Sequence, residues 1–555
     1  MFFIQKKPPR AHQPGEPLLY NNHKRPVTRR DFLAAGMLGS SGWVIGPAWL
    51  GALLKASRAG AQSTTLASDI QAMLGAGQCN VPTAASGIPF ICFDLAGGAN
   101  LVGSEVLVGQ QGGQTNFLST AGYELLGVPG NMVPGANNAN IDPSLGLLWQ
   151  SDGAIKRGIL SVATTPATAA GTSGAVFCAE SQNDTQANPH NPMYGIAMAG
   201  ANGLLLDLIG TVSSVSGGNS MAPPALVNPA LQPTTIDQPS DATGLVSTGG
   251  ASADPLSVAV MESQTRISGG NTLFASGNES SIGGALSAPS GSTPGVSLYP
   301  ASDPNQALDD TTLKNQVRCN YAKSAYTAAA FGNPAALDPT QDPLIVGGAT
   351  PILTAATINS NSDAAATATV MKLVIDGYAG AGTIAMGGFD YHDGTRATGE
   401  TRNFQAGQMI GAVLEYAQRK GKPVMIYVIS DGSLSSNLMP DNSPAGRGKL
   451  GWQGDNSSVA STFFLVYSPK GRPTLLNGTA GQQIGYFTAA GNVVTSSSIV
   501  GNAVTTLVQV VILNYMGLMG TTAQYSSVFP AATYPSAVLG TAAQMDALTV
   551  FQPIV

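Results

Sequence analysis

The residues best suited to chemistry stand together at Asp390, Tyr391, His392 and Asp393. Two carboxylates and an imidazole within four positions suit cation binding or proton transfer. Such groups are scarce here, since 10% of the chain is charged and it holds four histidines. His12 and His23 fall in an N-terminal segment that reads as removable, which leaves His190 and His392. A polar turn closed by Asx-type hydrogen bonds would also use these residue types. Their rarity elsewhere in the chain favours a site.

The flanking elements place that cluster. Residues 364–378 carry Val370, Leu373, Val374 and Tyr378 at helical spacing. The apolar run 383–386 reads as a strand, and the cluster follows its carboxyl end, where ligand sites of open α/β sheets gather. The arrangement then repeats. Residues 403–419 are amphipathic along Ile410, Val413, Leu414 and Ala417, and Gly421 ends that helix behind Arg419 and Lys420. Residues 424–429 form an unbroken apolar run of the parallel-sheet kind. It leads into Ser430, Asp431, Gly432 and Ser433. Helix, strand and polar turn twice in succession predict an α/β class with a doubly wound, mostly parallel sheet.

Other strands are expected at 88–95, before Gly97-Gly98, at 158–165 and at 462–467. Helices are expected at 195–209, 313–331 and 497–518. The Ser/Gly/Pro-rich stretch 210–300 reads as an insertion of extended segments or long loops, and 335–351 as a loop. Between the second strand and the 195–209 helix lies the most polar run of the chain beyond the N-terminal segment, 180–192, which contains His190. Pro189 and Pro192 exclude a regular helix there. Both a ligand-lining loop and a stiffened solvated loop fit it.

Residues 1–61 read as a signal for export. Arg29-Arg30 precede a Gly/Ala-rich apolar stretch, 33–54, and Ala59-Gly60-Ala61 offers a cleavage site, the order of a twin-arginine signal. Glycines at 36, 39, 42, 46 and 51 with Pro47 argue against a spanning helix, and no later stretch is long and apolar enough to span a bilayer. The mature chain is therefore expected in the periplasm or outside the cell, as a single domain over 62–555. Nine of the 25 basic and two of the 31 acidic residues lie in the leader, which leaves 16 against 29, a net of −13. That balance argues against a nucleic-acid partner. Cys79, Cys92, Cys178 and Cys319 permit two disulfides in an oxidising compartment, in any of three pairings. No Cys-x-x-Cys spacing points to zinc.

The order of these features resembles a family. The Arg29-Arg30 leader, the strand before Gly97-Gly98, the Phe389-Asp390-Tyr391-His392 motif, the helix and the strand ending in Ser430-Asp431 are similar to the exported bacterial proteins grouped as domain of unknown function 1501. That family is related to the alkaline phosphatase and sulfatase superfamily. The likeness covers most of 88–520, outside 210–300. It implies an alkaline-phosphatase-like fold with loop-rich insertions. By it, the family's Asp-Thr-His motif falls on Asp390, Tyr391 and His392, and its Ser-Glu-Phe-Gly motif on Ser430, Asp431, Gly432 and Ser433. Its Thr-Asp-His-Gly motif falls on Gly454, Asp455, Asn456 and Ser457, and its Gly-Gly-x-Asp turn on Gly97, Gly98, Ala99 and Asn100. This chain departs from the pattern twice, with Asn100 in place of an acid and Asn456 in place of a histidine.

A dinuclear phosphatase site holds two cations about 4 Å apart on several Asp and His ligands. Two mature-chain histidines leave a zinc pair short of nitrogen. An oxygen-rich set with carboxylates from Asp390, Asp393, Asp431 and Asp455 and a carbonyl from Asn100 or Asn456, beside the imidazoles of His190 and His392, suits one calcium or magnesium ion better. Ser430 and Ser433, and Thr395, are candidate nucleophiles, none with a visible base beside it. Two functions follow as expectations. One is a non-catalytic envelope or extracellular binding or assembly protein that keeps one structural cation and meets protein partners. The other is a metal-dependent phosphate- or sulfate-ester hydrolase. A redox enzyme ranks behind both, because no cofactor fingerprint appears.

Overall fold

The computed structural model describes residues 85–180, 190–212, 222–245 and 334–555, apart from short gaps at 136, 138, 229–230, 232, 431 and 457–461, and includes Ser68 and Tyr326. The leader, most of the 210–300 insertion and the 313–331 helix lie outside the described residues.

Eight strands build the main sheet: β1 (Phe90–Leu95), β4 (Thr172–Phe177), β5 (Leu206–Gly210), β6 (Thr234–Thr235), β7 (Ala379–Met386), β8 (Val424–Ile429), β11 (Thr462–Tyr467) and β12 (Gln483–Ile484). β2 (Ile141–Asp142) and β3 (Trp149–Gln150) form a small ladder, and β9 (Leu434–Asp441) and β10 (Lys449–Asp455) a separate antiparallel arm. The order across the main sheet is β12-β4-β11-β8-β1-β7-β5-β6. β11 runs antiparallel to both of its neighbours, and every other pair is parallel. The central strands β1 and β8 are buried throughout, as their unbroken apolar sequences require.

Each face of the sheet carries its own core. Ile91, Phe93 and Leu95 of β1 face one core with Val428, Ile384 and the helices α1 (Ala154–Val162), α3 (Ser362–Ile375) and α4 (Ala397–Lys420). Phe90 and Cys92 face the other, with Tyr427, Phe464, the helix α2 (Met193–Met198) and α5 (Val504–Leu518). The α/β class expected from the sequence is therefore present as a large, mostly parallel sheet covered on both sides.

The helices end where their sequences say. Asn361 caps α3 by accepting from Ala364 N. Gly421, at φ 61°, closes α4 behind Arg419 and Lys420. Glycines set how α1 and α4 meet. A Cβ on Gly411 would lie 2.6 Å from the Ile159 carbonyl oxygen, and Gly407 is closer still to Ile155. The two helices touch backbone to backbone.

Three expectations change. Residues 158–165 are not a strand: Ala154–Val162 is a helix whose Ile155 and Ile159, four apart, face the core. That spacing is lost to a window beginning at Gly158. The 195–209 helix is a six-residue helix followed by β5, because Gly200 breaks it at φ 107°. The 335–351 loop contains short helical turns at Pro339–Gln341 and Pro343–Val346, each capped by an aspartate.

Candidate functional site

Parallel pairing brings the turns after β1, β7 and β8 to one edge. Gly97 and Gly98, at φ 127° and 102°, fold the chain back after β1. A Cβ on Gly97 would lie 2.8 Å from Asp390 Cβ, so only glycine lets the two turns pack together. Phe389 N donates to Ala96 O at 3.1 Å and fixes the second turn over the first.

Along 390–392 the side chains alternate. Asp390 and His392 point to solvent, 63% and 41% exposed, and meet at 2.7 Å between Oδ1 and Nε2. Tyr391 between them is buried, and its hydroxyl accepts from Asn100 N and donates to Asn403 Oδ1, both at 3.0 Å. Asn403 Nδ2 donates to Glu105 Oε1 at 3.1 Å, and Glu105 Oε2 accepts from Ile155 N at 2.9 Å. Tyr391 thus ties the exposed pair to α1 and α4, and it is a positioning residue.

The hydroxyls are otherwise engaged. Ser430 Oγ accepts from Gly98 N at 3.0 Å and Ala99 N at 2.7 Å, and donates to Leu95 O at 2.6 Å. Both lone pairs and the proton are used, so it clamps the glycine turn and has nothing left for attack. Ser433, also buried, accepts from Asn100 Nδ2 at 3.3 Å, and its carbonyl accepts from Asn456 N at 2.8 Å. Asn100 also donates to Leu434 O at 2.9 Å and accepts from Ser104 Oγ at 2.7 Å. Asp393 accepts from Thr395 N and Oγ1 and from Thr398 Oγ1 at 2.8–2.9 Å. Slight burial raises its pKa, but these bonds outweigh that and hold the carboxyl below the usual range. This is the Asx turn weighed against the site reading, and it covers Asp393 and Thr395.

His190 is drawn inside. It precedes α2, next to Asn191, whose Nδ2 donates to Thr383 Oγ1 of β7 at 3.1 Å. Neither ring nitrogen has a hydrogen-bond partner among the described residues, and burial pushes the imidazole down to about 4. Asp431 lies outside the described residues, and Asp455 ends β10. Among the described residues no group of three or more His, Cys, Asp or Glu side chains is placed to hold a metal. Cys92 and Cys178 are buried thiols in opposite cores and do not pair with each other; burial pushes both pKa values up. Cys79 and Cys319 lie outside the described residues. No described helix is long and apolar enough to cross a membrane.

A charged network beneath the edge escaped the sequence reading. Glu400 meets Arg396 at 3.0 Å, Lys449 at 2.8 Å and Arg157 at 2.6 Å, and Arg447 grips Asp152 at 2.6 Å. Burial raises the Glu400 pKa, but these cations outweigh it and hold the carboxyl low. Glu105 is held up by burial and by Glu400. Burial likewise pushes Asp152 up, and its cations pull it down to about 2. Asp441 of β9 accepts from Arg396 N and Ala397 N at 2.9 and 3.0 Å, capping α4. Arg396 lies 4.5 Å over the ring of buried Trp452. The Arg396–Glu400 spacing is the one part readable from sequence, as an i,i+4 pair.

Compared with models of known families, with curated proteins and with solved structures, the chain matches none.

Proposed function

We propose that this chain is an exported, alkaline-phosphatase-like binding or assembly protein that acts without catalysis. The saturated Ser430 hydroxyl carries this reading. A polar turn at the carboxyl end of a central strand is where a nucleophile would stand, and this one is committed to three backbone bonds. Asn100 and Asp393 are likewise engaged in holding turns. Among the described metal-ligand and nucleophile candidates, the Asp390–His392 pair is the ion-paired group that faces outward, a polar surface suited to one cation or to a partner's polar group. The twin-arginine leader and the acidic mature chain support an envelope or extracellular setting.

The exposed 2.7 Å Asp390–His392 contact favours one second reading, a metal-dependent phosphate- or sulfate-ester hydrolase that uses this pair. The test measures the metal content of the mature protein, and nitrophenyl phosphate and sulfate hydrolysis with calcium, magnesium, manganese or zinc added. An Asp390→Ala/His392→Ala variant is run alongside. The binding reading expects no turnover above background in either protein. Turnover in wild type that the double variant abolishes would replace it with the hydrolase.

A further inference from the structure

Leu438 and Met439 stand 60% and 68% exposed, and among the described residues they are the only sequence neighbours that are both large, apolar and exposed. Single exposed apolar residues such as Val538 are ordinary on a protein surface. This pair is held out by the chain. The pairing of β9 with β10 jumps from Pro440–Leu450 to Ser436–Trp452, so residues 437–439 bulge from the arm. Leu438 sits at φ 61°, where a bulky side chain is an outlier. Arg447 of the same arm, at φ 59°, is the only other described residue besides glycine and asparagine with positive φ. Three hydrogen bonds of 2.9 Å fix the bulge: Leu438 N to Ser436 Oγ, Met439 N to Asn437 Oδ1, and Asn437 Nδ2 to Gly394 O. The last places it beside the 390–393 turn. Asp441, Lys449 and Trp452 anchor the arm to α4.

Backbone strain of this kind persists at sites where the surroundings impose it for a purpose. An apolar knob already rigid in the free protein loses little entropy on docking, which is the character of an interface hot spot. The knob is convex, so it needs a cleft. Exposed Asp393, next to the Gly394 carbonyl that Asn437 grips, and half-buried Asp441, two residues beyond Met439, flank it, while Arg447 is neutralised by Asp152. Two copies meeting knob to knob would oppose these carboxylates, and an anionic lipid surface would repel them.

We infer that Leu438 and Met439 form the docking knob for a second exported protein that offers an apolar cleft with a basic rim. This rests on the binding-protein reading and names the partner's chemistry. A photo-crosslinking amino acid is placed at Met439, at Asp390 and, as control, at Val538, in the full chain in its exporting host. The captured protein is then purified and titrated against wild type, a Leu438→Gly/Met439→Ser variant and an Asp390→Asn variant. Glycine favours the φ of Leu438, so the first variant should keep or raise Tm. The expected result is one protein adduct at 439, none at 538, and binding weakened at least tenfold by the first variant and weakened further by salt. Adducts only to lipid or to a second copy, no adduct at 439, or undiminished binding by that variant overturns the knob. Binding that survives there but falls with Asp390→Asn keeps the binding reading and moves the interface. No adduct at any position, with ester turnover present, removes both.

Discussion

His190 should make the protein acid-sensitive above the range of its carboxylates. Burial lowers its pKa from 6.5 to about 4, so the folded state binds fewer protons than the unfolded state between those values. The stabilisation is therefore complete above the unfolded pKa and is lost as pH falls toward the folded one. At 1.36 kcal/mol per unit, the loss is about 2 kcal/mol from pH 7 to pH 5 and about 3 kcal/mol by pH 4. Asp152 and Asp441, held down to about 2, add to it only below the ordinary aspartate range. Glu105, raised by burial, works in the opposite direction, so the measurement must be a difference. Urea unfolding of wild type and His190→Leu at pH 7, 6 and 5 supplies it. Leucine removes two buried nitrogens that have no partner among the described residues, so stability at pH 7 should hold or rise. The gap between the proteins should then widen in favour of leucine by about 2 kcal/mol at pH 5. Parallel curves would refute the argument, since they would mean that His190 titrates as it does in the unfolded chain.

Ser430→Ala leaves Gly98 N, Ala99 N and Leu95 O without their shared partner. At about 1–3 kcal/mol for a buried group left unmatched, Tm should fall clearly, by calorimetry, and a clamp rather than a nucleophile predicts that fall. Gly407→Ala drives a methyl into the Ile155 carbonyl and should destabilise by more than the helix propensity of alanine returns, about 1 kcal/mol, read as a lowered urea midpoint. Cys92 and Cys178 should resist alkylation in the native protein and react fully in denaturant, counted by mass spectrometry.

Much of the scaffold was legible because its signals are local. The apolar runs at 90–95, 424–429 and 462–467 read as buried strands, and Gly421 behind Arg419-Lys420 marked a helix end. β4 was missed because Thr-Ser-Gly-Ala-Val-Phe has little hydrophobic contrast, and its pairing with β11 is nearly 300 residues away in sequence. The Asp-Tyr-His cluster was legible as residues but not as geometry. Only the fold reveals that Tyr391 turns inward while its neighbours face water, or that Ser430 closes on the β1 turn. The charged network joins residues from 105 to 449, and beyond the Arg396–Glu400 pair it leaves no spacing to read.

The single antiparallel strand has a consequence for how the chain can vary. Because β11 runs back along β8, the chain leaves the sheet after Ile429 and re-enters it at Thr462 on the same edge. Whatever lies between must close only a short gap, and loop-closure entropy grows slowly with length. The β9–β10 arm is thus a cassette. Its outer stretch can be lengthened or exchanged without disturbing strand register, provided the Asp441 cap on α4, the Lys449–Glu400 pair and buried Trp452 stay in place. Diversification at this position would change what the protein meets and leave the fold intact.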